Sequence, residues 1–475
     1  MTTHKIYFSI SGLVLLCVGL LAGFQQSNMV FINIIKAVSN LNPDPEFWGY
    51  GLQYVSAELI ILGLLLIMRA AGAGLKTSAI TGLTLLSAVF AFRLFANAIN
   101  VPVMDDFRSI LIFIDEFQSA ESLTEQIHVF TAHHTESRFI TLRMIVLTLF
   151  QFTGEVNFQH IIMLANLCLP LMAWLMIKNG DRSLWQAAFI LLMLLHFAWY
   201  DSMIWATNAV AYQVTSLAAL STFYLAFSEN KKHQLFSILT ALISVCTFGN
   251  GLLVLPVVVL GFLIKKDFRR AAAWTGFTVA VAYLYISNGV PGNGLPDIQN
   301  LIVFILSFTG SAFQFLYSTA VTAIAGLLIW MVAIYLTVKK YYLKNFPVWA
   351  LLLFVLLSAV IAGIYRSQNG PHEAVSSRYA YFSILAIIAC VTALHEIKDA
   401  HFREKLKQYS ITGAVAYHLL CGIFFYPEAA VRNAKLQQYI TDLKNEKPVQ
   451  SIEPVIQFNA DEIIKESVKK GYYKP

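Results

Sequence analysis

Residues 79–107 read AITGLTLLSAVFAFRLFANAINVPVMDDF, an apolar run that leads within a few residues to two adjacent aspartates. The run from Ala79 to Asn97 approaches the ~20 residues that a helix needs to cross a bilayer. Similar runs recur along a chain of 475 residues that is 57% hydrophobic and 13% charged, with a mean hydropathy of +0.64. The sequence therefore predicts an all-α, polytopic integral membrane protein and argues against a soluble globular one.

Basic residues orient these runs, because lysine and arginine clusters between spans mark cytoplasmic loops. Lys231-Lys232, Lys265-Lys266 and Lys339-Lys340 all lie between apolar runs, so the net charge of +6 does not indicate nucleic-acid binding. The pattern predicts about 13 crossings, a cytoplasmic N-terminus, an extracytoplasmic C-terminus and an outer interfacial or re-entrant helix at 301–315. The predicted spans are residues 6–24, 52–68, 79–97, 158–177, 184–199, 207–227, 234–248, 252–264, 271–287, 316–338, 347–364, 379–393 and 411–425.

This topology divides the chain into two parts. Residues 1–426 form a transmembrane domain, in which residues 99–157 make an extracytoplasmic loop with interfacial helices. Residues 427–475 are polar, mixed in charge and predicted to form an extracytoplasmic tail. All five cysteines lie in apolar runs, so they predict neither a disulfide framework nor a metal site.

Asp105 and Asp106 follow the third span and are predicted to lie at the outer membrane surface. Two adjacent carboxylates cannot share one helix face, so one is expected to face a cleft while the other caps a helix at residues 107–113. The functional alternative to capping is a general base that accepts a proton from a hydroxyl. No D-x-D pattern is present, so the sequence requires no cofactor, although Asp115, Glu116 and Glu136 leave a divalent cation possible.

Residues 133–138, HHTESR, form a second polar cluster on the same loop. If this segment is helical, His134 and Arg138 share a face while Glu136 points elsewhere. The zinc motif H-E-x-x-H is missing, which disfavours a zinc hydrolase.

Arginines on the predicted outer face are exceptions to the positive-inside pattern, and they are chiefly Arg108, Arg138, Arg366 and Arg378. They are either surface residues near lipid headgroups or a set that binds phosphate, for which the planar guanidinium is suited. Glu58 and Arg93 lie at similar depths in neighbouring spans. They form either a mutual ion pair or an arm of a functional site.

These elements together resemble the GT-C superfamily of bacterial membrane glycosyltransferases. VPVMDDF (101–107) is similar to the D-D-[WF] element of one branch, and HTESR (134–138) to its H-N-E-H-R element, with Thr135 and Ser137 as departures. FGNGL (248–252) and SRY (377–379) also look like recurrent pieces of that branch.

The resemblance implies a GT-C-like fold and an inverting transferase that uses a polyprenyl-phosphate sugar at the outer face of the bacterial cytoplasmic (inner) membrane. Asp105 or Asp106 would then be the base, and Arg378, with Arg138 or Arg366, would bind the donor phosphate. His134 and Glu136 would orient sugar hydroxyls or the base. The implied partners are the lipid-linked donor, membrane lipids and a glycan or glycolipid acceptor of the O-antigen or lipopolysaccharide type.

Two other functions fit parts of the pattern. A flippase or transporter of lipid-linked sugars would need polar residues deep in several spans, where the sequence offers chiefly Glu58, Arg93, His196 and His418 without a continuous path. A polysaccharide polymerase or ligase would share the outer arginines and differ in using a diphosphate-linked oligosaccharide.

Overall fold

The computed structural model describes residues 2–23, 45–134, 137–287, 297–316, 318–397, 399–445 and 460–475. Every regular element within these ranges is helical, which confirms the all-α prediction for this part of the chain. The α-helices are Thr2–Gly23, Pro45–Ala70, Leu75–Asn97, Phe113–Ser119, Leu123–Thr131, Ile140–Thr153, Phe158–Asn166, Cys168–Asn179, Leu184–Leu194, Asp201–Ile204, Ala206–Ala209, Thr215–Leu225, Lys231–Thr247, Val254–Ile264, Phe268–Ile286, Ile298–Thr309, Thr319–Val338, Phe346–Arg366, Ser377–Ile397, Ala400–Lys444 and Ala460–Lys469. Two π-helices, Phe107–Ile112 and Val210–Val214, lie near the candidate site.

Seven stretches of helix in the described residues are long and apolar enough to cross a membrane. They are Glu46–Ala70, Leu75–Asn97, Phe158–Asn179, Thr319–Val338, Phe346–Asn369, Ser377–Ile397 and Ala400–Lys444. Their outer surfaces are apolar: Ile324, Met331 and Ile334 of one helix are each more than half exposed, as lipid-facing side chains would be. The architecture is consistent with a multi-pass helical membrane protein.

The figure of about 13 crossings remains a prediction, because several of the expected spans are shorter helices. Leu184–Leu194, Gly249–Ile264 and Ile298–Thr309 belong to this shorter apolar class. The predicted span at 184–199 ends early, since the chain leaves the α-helix after Leu194. Residues 301–309 lie in the α-helix Ile298–Thr309, and the chain continues in a 3₁₀ segment that is kinked at Phe313. That this segment is an outer interfacial or re-entrant helix stays a prediction.

The C-terminal part is tied to the rest of the chain. The predicted domain boundary at residue 426 falls inside the continuous helix Ala400–Lys444, which we call the long C-terminal helix. Beyond it, the segment 460–475 packs onto the predicted outer loop: Tyr473 is fully buried and its hydroxyl donates to the Asn100 carbonyl at 2.6 Å. Val156 N donates to Tyr472 O at 2.7 Å, and Lys470 pairs with Asp115 at 2.6 Å. The described residues 427–445 and 460–475 thus continue the helix or contact the predicted outer loop, and the division of the chain at residue 426 stays a prediction.

An ion pair between Glu58 and Arg93 lies inside the bundle, at 2.8 Å, which confirms the simpler of the two sequence interpretations. Arg93 Nη2 also donates to Tyr54 O at 2.8 Å. The long C-terminal helix adds His418, whose Nε2 lies 3.0 Å from Tyr54 Oη and 3.7 Å from Glu58. Gly422 permits this approach, since a Cβ there would lie 1.9 Å from the Tyr54 ring.

The deep polar residues are therefore more connected than the sequence indicated, since Glu58, Arg93 and His418 share one cluster. The His196 and His418 rings lie 6.2 Å apart. The members of the cluster are bonded chiefly to one another, so its evident role is to hold Pro45–Ala70, Leu75–Asn97 and the long C-terminal helix together.

Replacing Arg93 with methionine should lower the free energy of unfolding by roughly 3–5 kcal/mol, because Glu58 is then left as a buried charge without its main partner. The double variant Glu58→Gln/Arg93→Met should recover part of this loss. Thermal and denaturant unfolding in detergent micelles would measure both. The single variant Glu58→Gln completes the comparison. If the loss in free energy of unfolding of the double variant equals the sum of the losses of the two single variants, the pair does not act as a coupled unit.

Candidate functional site

Asp106 is completely buried and its carboxylate is bound by three donors of the chain. Thr207 donates from its backbone N at 2.8 Å and from its hydroxyl at 2.6 Å, and Val103 N donates at 3.1 Å. Burial raises the pKa of Asp106 to about 7, against the lowering effect of these hydrogen bonds. Asp106 thus connects the loop that follows the helix Leu75–Asn97 to the segment that contains Thr207.

Asp105 has the opposite environment. Its side chain is 40% exposed, and its Oδ1 lies 3.4 Å from Nε2 of the buried His134. The backbone turns at Met104, which has a φ of 46°, directly before the two aspartates. One aspartate is thus exposed and the other buried, in agreement with the expectation that they cannot share one face.

The prediction that one of the two aspartates caps a helix at residues 107–113 is wrong. The π-helix Phe107–Ile112 begins directly after Asp106, but no side-chain cap bonds its first turn. The Asp106 carboxylate instead binds Thr207 and Val103. A tertiary contact therefore uses the oxygen atoms that a local cap would need.

The described residues of the segment 133–138 are not helical, which overturns the helical alternative for them; His134 and Ser137 pair through their backbones, and we call this pairing the His134–Ser137 turn. His134 N donates to Ser137 O at 2.7 Å and Ser137 N donates to His134 O at 3.0 Å. Thr135 and Glu136 lie outside the described residues, so the predicted role of Glu136 stays a prediction. The His134 ring packs against Phe139, with centroids 5.5 Å apart.

The guanidinium of Arg138 is hydrogen-bonded to other groups of the protein. Its Nε donates to His133 Nε2 at 2.9 Å, and its Nη2 donates to Tyr285 O at 2.9 Å. Burial and the charge of Arg138 lower the pKa of His133, so its neutral ring accepts this bond. Arg138 therefore anchors the turn to the helix Phe268–Ile286 and has little capacity left for a phosphate.

A cavity of about 320 Å³ lies beside this turn. Its walls are mostly apolar, and it brings together three of the sequence elements singled out above: Ser137 of HTESR, Phe248 of FGNGL and Tyr379 of SRY. Gly249 N donates to Ser137 Oγ at 3.2 Å, which joins the first two elements. The polar side chains that line the cavity are Ser137, Tyr212, Asn250, Tyr285, Ser358, Tyr365, Arg366 and Tyr379.

Arg366 and Arg378 lie at the ends of two helices near this cavity. Arg366 lines it from the last turn of Phe346–Arg366. Arg378 is in the first turn of Ser377–Ile397, where the helix dipole disfavours a cation, and Glu373 lies 3.9 Å from its Nη2. Its charge interacts with those of Arg366 and Asp201 and with the hydroxyl of Tyr212. Its Nε is buried and has no hydrogen-bond partner among the described residues.

Sequence reasoning missed several residues that organise this region. Thr207 and Tyr212 lie in an apolar run and gave no local signal. Asp201 lies between the predicted spans 184–199 and 207–227, and it binds Ser377 and also Arg432 from the long C-terminal helix. An isolated aspartate and an arginine separated by 231 positions cannot be paired from one sequence.

Among the described residues, no group of three or more His, Cys, Asp or Glu side chains is placed to hold a metal ion. The divalent cation that the sequence left possible stays a prediction.

Comparisons of the chain with protein-family models, with curated proteins and with solved structures find no match. The described residues thus define a helical protein, consistent with repeated membrane crossing, that has a partly exposed acid beside His134 and a mostly apolar cavity lined by Ser137 and Arg366.

The raised pKa of Asp106 predicts a pH dependence of stability. Because its pKa of about 7 in the folded protein exceeds the usual 3.8, the native state binds more protons than the unfolded state between these values. Its contribution to stability should thus fall as pH rises from about 4 to about 7, by up to about 1.4 kcal/mol per pH unit. Asp106→Asn, which cannot ionise, should lack this slope.

The measurement is thermal unfolding across this pH range for the wild type, Asp106→Asn and the exposed control Glu121→Gln. Only Asp106→Asn should differ from the wild type in the shape of its profile. Parallel profiles for all three proteins would show that Asp106 does not titrate in this range.

Proposed function

We propose that the protein is an inverting glycosyltransferase that moves a sugar from a polyprenyl-phosphate donor to a cell-envelope glycan or glycolipid. The acceptor class is that of O-antigen or lipopolysaccharide, and the reaction takes place at the outer face of the bacterial cytoplasmic membrane. The observation that carries this proposal is the combination of the exposed acid Asp105 with an apolar cavity that has Arg366 on its wall and Arg378 nearby.

Asp105 is the proposed base, because Asp106 is buried and fully engaged. An acceptor hydroxyl attacks the anomeric carbon and gives its proton to the Asp105 carboxylate. The new carbon–oxygen bond forms on one face of the sugar as the bond to the phosphate oxygen breaks on the other, which inverts the configuration. His134, whose Nε2 lies 3.4 Å from Asp105 Oδ1, orients the carboxylate.

Arg378 and Arg366 are the proposed phosphate ligands. The departing phosphate takes the bonding electron pair and gains negative charge, so fixed guanidinium groups stabilise the transition state more than the ground state. Arg138 is less suited to this role than the sequence suggested, because its guanidinium holds His133 and Tyr285.

The apolar part of the cavity suits the first isoprene units of a lipid carrier. Phe248, Leu252, Phe308 and Phe382 are among its walls, and apolar area of this kind favours a hydrocarbon chain over a free sugar nucleotide. A lipid-linked donor can reach such a site from within the bilayer.

Asp105→Asn should lower sugar transfer by about 10²–10⁴-fold, the usual contribution of a general base, without changing the thermal stability or the affinity for the donor. Glu121→Gln, an exposed change on the same loop, should retain activity. Transfer of radiolabelled sugar from a panel of polyprenyl-phosphate donors, with purified protein in liposomes, would measure both variants. Full activity of Asp105→Asn would remove Asp105 from the role of base.

Arg378→Lys keeps the charge but loses the planar fork, so the donor KM should rise roughly 10- to 100-fold, as expected for a lost charge-assisted hydrogen bond. The exposed Arg108 supplies the matched control, Arg108→Lys. An unchanged donor KM for Arg378→Lys would contradict the assignment.

The same assay separates the other functions. Movement of the lipid-linked sugar across the bilayer without a covalent product would identify a flippase. Reaction only with diphosphate-linked oligosaccharides would identify a polymerase or ligase.

A further inference from the structure

We propose that Arg432, on the long C-terminal helix, is a further phosphate-binding residue that binds the same lipid phosphate as Arg378. This inference rests on the proposed function for the identity of the anion. It assigns a role to a part of the chain that the sequence marked only as the start of a polar tail.

Arg432 is held in one orientation by two neighbours. Its Nη1 donates to Asp201 Oδ1, and its guanidinium carbon lies 4.9 Å from the centre of the Tyr200 ring. The side chain is 13% exposed, so most of the guanidinium is shielded from solvent. A cation fixed in this way has already lost the rotamer freedom that binding would otherwise remove.

The opposite edge of the same guanidinium has no partner. Nε and Nη2 are both buried, and neither has a hydrogen-bond partner among the described residues. These two atoms form one bidentate edge, which matches two oxygens of a phosphate group. Buried charged donors are normally bonded, so this edge indicates a ligand. Both atoms are shielded, and binding therefore requires neighbouring side chains to move aside.

Asp201 and Ser202 connect Arg432 with Arg378. Asp201 accepts from Arg432 through one carboxylate oxygen and from Ser377 Oγ through the other. Ser202 Oγ donates to the backbone carbonyl of Arg378 at 3.1 Å. The two arginines are thus attached to adjacent residues of one short helix, and Nε of Arg378 is buried without a partner as well.

The charges in this group favour an anion. The close acidic neighbours given by the described contacts are Asp201 for Arg432 and Glu373 for Arg378, the latter at 3.9 Å. Arg366, whose charge interacts with that of Arg378, adds a third guanidinium. A lipid phosphate brings both the negative charge and the oxygen atoms that these donors lack.

The competing explanation is that Arg432 serves only to hold the long C-terminal helix against Asp201. Arg432→Lys distinguishes the two roles, because lysine keeps an ammonium for Asp201 but has no Nε and Nη2 edge. A structural role predicts equal effects on all ligands, whereas phosphate binding predicts an effect only on ligands with a phosphate.

The experiment compares binding of a polyprenyl monophosphate with binding of the corresponding polyprenol, in detergent micelles, for the wild type, Arg432→Lys and the control Arg108→Lys. We expect Arg432→Lys to weaken binding of the phosphate about tenfold and to leave the affinity for the alcohol and the unfolding temperature without lipid unchanged. Arg108→Lys should match the wild type for both lipids.

Equal loss of affinity for both lipids, or no loss for either, would overturn the proposal. If Arg432→Lys is destabilised, the single variants Arg432→Gln and Asp201→Asn replace it. A loss of affinity confined to the phosphate lipid in Arg432→Gln, and not in Asp201→Asn, would still support the proposal. Sugar transfer is measured separately. A wild type that binds the phosphate through Arg432 but transfers no sugar would refute the proposed transferase and leave this inference intact.

Discussion

The hydrogen bonds between Asp106 and Thr207 are the constraint on which the candidate site depends. They connect residues 101 positions apart, and they lie where neither side chain can reach solvent. Because a buried carboxylate without donors is strongly unfavourable, the loop and the segment around Thr207 must keep their mutual position. The exposed neighbour Asp105 is thereby held at a fixed point beside His134.

The segment 201–214 is the common support for the other functional groups. Asp201 and Ser202 hold Arg432 and Arg378, Thr207 holds Asp106, and Tyr212 lines the cavity. This segment is broken into two short helices and a π-helix, and its irregular backbone is secured by internal bonds. Gln213 Nε2, for example, donates to Ser202 O at 2.8 Å and to Asn166 Oδ1 at 3.0 Å. A regular helix could not present so many polar groups in different directions.

Four residues show how far sequence reasoning reached. The placement of Asp105 at the edge of an apolar bundle followed from hydropathy and charge, and so did the pairing of Glu58 with Arg93 at similar depth. Arg138 was grouped with the phosphate ligands because its residue type and predicted side of the membrane suited that role. Its actual partners, His133 and Tyr285, depend on how a turn packs against a helix that begins 130 residues later.

The sequence by itself determined the helical class, the apolar surfaces and the polar loop at 101–138, since these follow from local composition and the cost of placing polar groups in lipid. Only the tertiary structure decided which aspartate is partly exposed, which arginine lines the cavity and that the described residues 460–475 pack against the predicted outer loop. These outcomes depend on hydrogen bonds between distant segments, and the energy of such a bond depends on burial and geometry that no local pattern encodes.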